Sequence, residues 1–118
     1  MMISRDKERG EWAHLQVASV ATWRPPVLRL ADLSAQAEVR RIADEFKDRH
    51  DRVDILINNA GSAFQARELS TDALELTWAT NQLAPLLARK VWAISDGQTG
   101  ITTHSLVNQD VGDKSVDL

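Results

Sequence analysis

The chain has 118 residues, with 14 Lys and Arg against 17 Asp and Glu for a net charge of −3. That length allows one small domain, and 43% hydrophobic with 26% charged residues is an ordinary globular composition. The acidic balance gives no basic footprint for nucleic acid or an anionic membrane surface. The absence of cysteine excludes disulfides, thiolate catalysis and cysteine-held metals. His14, His50 and His104 stand at spacings that build no zinc motif. No apolar run approaches the roughly 20 residues that cross a bilayer. The start Met1-Met2-Ile3-Ser4-Arg5-Asp6 has no hydrophobic segment after its charges, so no secretory signal is expected, and a reducing cytoplasm is the expected setting.

Met1 to Ile3 is a short apolar opening that reads as a strand, with Ser4 as the expected N-cap of a following helix. Trp12, Leu15, Val17, Ala18, Val20 and Ala21 make a ragged apolar helix face, and Arg24-Pro25-Pro26 must end that helix. Val27 to Leu30 reads as a strand, and Ser34 is the expected cap of a helix over 35–50. There Ala35, Val39, Ile42, Ala43 and Phe46 recur every three or four residues as one stripe. Arg40 with Asp44, Arg41 with Glu45 and Glu45 with Arg49 are spaced for surface pairs of about 0.2–0.5 kcal/mol each.

Val53 to Ile57 then reads as a strand, its short continuous apolar run Ile55, Leu56 and Ile57 expected to lie in a parallel sheet buried on both faces. With the preceding strand and helix it makes a βαβ unit. It breaks into Asn58-Asn59-Ala60-Gly61, side-chain amides and a glycine that let backbone pass close to a bound molecule. In open α/β sheets ligands lie beyond the carboxyl ends of strands. A long helix is expected over 72–92, with Glu75 closing a capping box on Asp72 and an inner face of Leu76, Ala79, Leu83, Leu87 and Val91. Pro85 cannot donate to the Asn81 carbonyl, which is thereby released from the helix ladder. Residues 1–94 are expected to form the domain and 95–118 a flexible polar tail, with a weak strand around 105–107.

From Met1 to about Trp92 the order of these motifs resembles the short-chain dehydrogenase/reductase family. The resemblance implies an α/β fold, here a partial Rossmann-type doubly wound parallel sheet. Asn58, Asn59, Ala60 and Gly61 match the family's Asn-Asn-Ala-Gly motif after its fourth strand, which implies a cofactor-lining role for Asn58, Ala60 and Gly61. Asp32 and Leu33 match the acidic residue and following amide that meet the adenine. Asn81 matches the active-site asparagine, whose carbonyl holds a water of the proton relay. Arg5 stands where members preferring NADP over NAD carry a basic residue, and a guanidinium offers a planar donor fork to a 2′-phosphate. Hydride transfer between NADP, or NAD, and a small carbonyl or alcohol substrate is the implied activity, and pairing of copies through the 72–92 helix the implied assembly.

The departures are equally concrete. The family's glycine-rich first turn and its Tyr-x-x-x-Lys pair have no counterpart, and the chain contains no tyrosine. Lys90 and Lys114 lie in no matching context. The family's strand order places its first strand between the segments matched by Met1–Ile3 and Val53–Ile57, so a one-strand slot is expected there. A central fragment of an enzyme follows, with a catalytically inactive relic or interaction module as the alternative that need not bind cofactor. A hydrolase built on His104, Ser105 and Asp110 lacks the strand-turn-helix of a nucleophile elbow and is set aside.

Overall fold

A computed structural model describes residues 1–93 and the strand at 102–105. Among them the elements run β1 (Met2–Ser4), α1 (Lys7–Val20), β2 (Leu28–Leu30), α2 (Gln36–Lys47) and β3 (Ile55–Asn58). They continue with α3 (Leu76–Trp78), a π-helical turn (Ala79–Leu83), α4 (Ala84–Ala93) and β4 (Thr102–Ser105). β1 pairs with β2 and β3 with β4, each pair parallel, as two separate two-stranded sheets. β4 lies just ahead of the strand expected at 105–107, and the rest of the 95–118 tail falls outside the described residues.

Helix α1 starts on Asp6 rather than Ser4. The Asp6 carboxylate accepts from the Arg9 amide at 2.8 Å, while the Ser4 hydroxyl donates to the Asp6 carbonyl at 2.7 Å. Gly10 lets the helix lie directly on β1: a Cβ there would stand 2.8 Å from the Ser4 Cβ and 3.3 Å from Leu28 Cδ1. Adjacent strand residues point to opposite faces. Leu28 therefore meets α1 while Arg29, next in β2, reaches the Glu45 carboxylate on α2, so the two helices cover opposite faces of this sheet. The expected apolar face of α1 is not buried: Trp12, Leu15, Val17 and Val20 are exposed, and Gly10 alone of the helix is buried.

The core forms on the other side, where Val39 of α2 packs with Ala84 and Leu87 of α4, flanked by Leu33, Ala88 and Val91. Ile42 and Ala43 are fully covered, as the stripe of α2 requires. On its outer side Glu45 gathers Arg29, Arg41 (3.7 Å) and Arg49 (3.5 Å), and Arg41 also holds Glu38 at 2.7 Å. That guanidinium hydrogen bond holds the Glu38 carboxyl below its ordinary range.

Burial of β3 differs from the expectation. Leu56 is 7% exposed, whereas Ile55 and Ile57 are 64% and 57% exposed. The strand alternates, with Leu56 on the core and Ile55 and Ile57 open, while α1 packs on β1 and β2. The one-strand slot between β1 and β3 is present as a cavity of about 720 Å³ lined by both strands.

Candidate functional site

Contacts between the segments that follow β1, β2 and β3 bring these three strand ends to one edge of the molecule. The Arg5 guanidinium, just past β1, lies 5.9 Å from the Phe64 ring centre in the loop after β3. The Gln36 amide, at the start of α2 after β2, donates to Asp72 Oδ2 at 2.8 Å in the segment that follows the same loop. Leu33 and the run Asn58, Asn59 and Ala60 line one cavity. Asp32 and Gly61 therefore belong to the same edge, and residues 55–58 are extended.

Asp32 shapes its own turn. Its Oδ1 accepts from the Ser34 amide at 2.9 Å and the Ser34 hydroxyl at 2.7 Å, so the buried Ser34 serves the turn and Ala35 is left as the N-cap position of α2 without a side-chain cap. Asp72 fills that need from a distance of 36 residues in sequence. The capping box expected between Asp72 and Glu75 is consequently not formed, and the helical run begins at Leu76 rather than 72. Glu75 is its N-cap, accepting from the amides of Thr77 at 3.0 Å and Trp78 at 2.7 Å. These two donors hold its carboxyl below the ordinary glutamate range.

Asn81 lies in the π turn. Pro85 has no amide to give it, and the ladder lengthens at this point, with the Ala84 amide bonding the Ala79 carbonyl five residues back. The side chain of Asn81 faces the loop after β3: its Oδ1 accepts from the Ser62 amide at 2.8 Å and its Nδ2 donates to the Ser62 carbonyl at 2.9 Å. This two-point clamp fixes the chain immediately after Gly61. The Gly61 backbone is not left-handed, and the nearest atom to a Cβ built there is Asn81 Oδ1, at an ordinary 3.7 Å. Among the described residues no contact requires glycine at this position, so its bare backbone adds open space at the rim.

Arg5, Asp32, Leu33, Asn58, Ala60, Gly61 and Asn81 thus all belong to this edge, with Asn81 joined to it through Ser62. Ser62, Phe64 and Asp72 were not foreseen. Asp72 is the one with a signal in the chain, a carboxylate in a capping context that serves a different helix. Among the described residues no group of histidine and acidic side chains could hold a metal, and no helix is long and apolar enough to cross a membrane.

The short chain dehydrogenase family model matches residues 1–100. DnrU of Streptomyces sp. (strain C5) is 36% identical over 90 residues, covering 75% of this chain and 31% of DnrU. Dehydrogenase/reductase SDR family member 12 of Bos taurus is 35% identical over 82 residues, covering 70% of this chain and 26% of that protein. The chain thus spans about a third or less of these relatives. Among solved structures, a short-chain dehydrogenase from Burkholderia cenocepacia in complex with NADP superposes with a TM-score of 0.61 at 25% identity, over 86% of this chain and 42% of that one. A metagenomic short-chain oxidoreductase with NADP gives 0.64 at 22% identity, over 79% and 42%. With its parallel strand pairs and helices on opposite faces, the fold is a partial Rossmann-type α/β sheet, and the chain belongs to the short-chain dehydrogenase/reductase family.

Proposed function

We propose that this chain supplies part of the nicotinamide dinucleotide crevice of a cytoplasmic oxidoreductase that interconverts small carbonyls and alcohols, with NADP favoured over NAD. The observation that carries the proposal is the common edge of Arg5, the Asp32 turn and the clamped Asn58–Gly61 loop. When bound, the cofactor would supply the hydride to a carbonyl as NADPH or accept it from an alcohol as NADP⁺. Arg5 offers the 2′-phosphate a fork of donors, and Phe64 beneath it limits where that fork can go. Asp32 keeps Oδ2 for an adenine amino group while Oδ1 holds the turn that presents the Leu33 amide. Gly61 leaves room for a ring at the rim. With its side-chain amide engaged by Ser62, Asn81 acts toward substrate through its main chain, at the turn where Pro85 cannot bond its carbonyl. The relatives carry consonant names: DnrU is named for C-13 ketoreduction of daunorubicin.

A specific observation favours a second proposal for these 118 residues alone. They hold no tyrosine to pass a proton to the substrate oxygen, so an inactive relic or interaction module, associating with an intact homologue through its helices, is the competing assignment. Calorimetric titration of the chain with NADP and NAD separates the two. Saturable NADP binding that Arg5→Ala weakens far more than NAD binding supports the crevice. Equal weakening removes Arg5 from it, and no saturable binding with no carbonyl turnover favours the inactive form.

A further inference from the structure

We infer that the outer face of α1 is a self-association surface, on which two copies of this chain pair their α1 helices antiparallel about a two-fold axis near Leu15 and Gln16. The inference is independent of cofactor chemistry. At about 100° per residue, Trp12, Leu15 and Ser19 lie roughly 140–200° around the helix from Gly10, the residue seated against Ser4 and Leu28. This stripe therefore points away from the sheet, outside the layer that helices on a sheet face occupy. It is apolar where solvent favours charge. Trp12 is 66% exposed and Trp23, just past the helix, 87%, and Leu15 and Val20 are exposed with them.

A second copy suits this face in size, polarity and charge. About that axis Trp12 of each copy falls opposite Ser19 of the other, a large side chain against a small one, and Leu15 falls against Gln16. The Ser19 hydroxyl already donates to the Gln16 carbonyl at 2.8 Å, so an indole can cover it without stranding a donor. The Trp12 indole N–H needs an acceptor once covered, and the Gln16 side chain of the other copy stands within a turn of Ser19. Glu8 falls opposite Trp23 and Arg24. Neither Glu8 nor Arg24 has an ion-pair partner among the described residues, whereas Lys7 and Glu11 hold each other at 3.9 Å. A parallel pair would instead set Glu8 against Glu8 and align the two helix dipoles. At about 200 Å² for a whole ring, the two tryptophans present about 300 Å² per copy, and with Leu15 and Val20 the pair reaches the roughly 1,000 Å² at which small specific interfaces begin. A weak, reversible dimer follows.

Sedimentation of the 118-residue chain from about 1 µM to 1 mM should show a monomer-dimer equilibrium. Trp12→Glu and Ser19→Trp should each raise the dimer dissociation constant roughly tenfold or more, one by charging the face and the other by filling the recess. Glu8→Arg and Arg24→Glu should each weaken the dimer, and the double swap should restore it. The chain has no cysteine, so Gln16→Cys gives a single thiol beside the axis, which diamide should couple between copies. Glu8→Cys, about 22 Å along the helices from its counterpart, should not couple. If a substitution at 12 or 19 unfolds the chain, as circular dichroism would show, the two cysteine variants still decide. The proposal is overturned by a monomer at every concentration, by a dimer that Leu86→Glu on the exposed side of α4 breaks and a folded Trp12→Glu does not, by a double swap no tighter than either single one, or by equal coupling of both cysteine variants.

Discussion

Replacing Asn81 by alanine removes both hydrogen bonds that hold Ser62, the 2.8 Å bond from its amide and the 2.9 Å bond to its carbonyl. Each half-buried bond of this kind contributes about 0.5–1.5 kcal/mol net, so the clamp contributes about 1–3 kcal/mol to the order of the loop that follows β3. That free energy corresponds to roughly 5- to 150-fold faster amide exchange at Ser62 if the loop opens locally. Asn81→Asp should fall between: it keeps an acceptor for the Ser62 amide but sets an anion against the Ser62 carbonyl. Hydrogen exchange across 59–64, read with far-ultraviolet circular dichroism to confirm that the helices persist, measures the effect. Unchanged exchange at Ser62 in Asn81→Ala would refute the clamp, and Asn81 would then have no part in holding the rim.

Gly10→Ala should lower the melting temperature by several degrees. The new Cβ meets Ser4 at 2.8 Å, and overpacking of about 1–3 kcal/mol exceeds the gain in helix propensity of up to about 1 kcal/mol, so an unchanged or higher melting point would contradict the close approach of α1 and β1. Asp72→Ala should cost about 0.5–2 kcal/mol by uncapping α2, read as faster exchange of the Gln36 amide; a loss confined to the 68–76 segment would contradict the long-range cap. The Glu75 carboxyl is lowered by the Thr77 and Trp78 amides, so its contribution is complete above its unfolded pKa and disappears as pH falls through the lower folded value. Glu75→Gln should flatten that acid limb of stability against pH, and an identical limb in both proteins would remove the cap from the account.

Elements governed by local pattern were legible in the chain. The stripe of Val39, Ile42 and Ala43 was visible as spacing, and it is buried because one apolar face suffices to place a helix on a core. Asn58 to Gly61 could be placed at a strand end because an apolar run stops there abruptly. Caps were harder to read. Ser4, Ser34 and Asp72 each have capping chemistry, yet Asp6 holds α1, Ser34 serves the Asp32 turn, and Asp72 reaches α2 through tertiary structure. The burial of Ile55 and Ile57 was also misjudged, because an apolar run states what a strand could bury and not whether a neighbour covers it. Asn81 was legible as a position beside Pro85, but not its grip on Ser62, since no local spacing links residues 19 apart.

The lengthened turn before Pro85 also sets which way the rest of its helix looks. Ala79 and Ala84 are both buried although five residues separate them, and in a regular helix they would point about 140° apart. One additional residue within a single turn absorbs about 100° of that divergence and brings both small side chains toward the same neighbour. Leu83, which ordinary periodicity would aim inward, is left only half covered, and the close seam is made by alanine against Val39. Regular α-helical winding of 79–83 with no residue removed would instead swing everything from Ala84 onward by about 100° around the helix axis and turn Leu87 away from the interior.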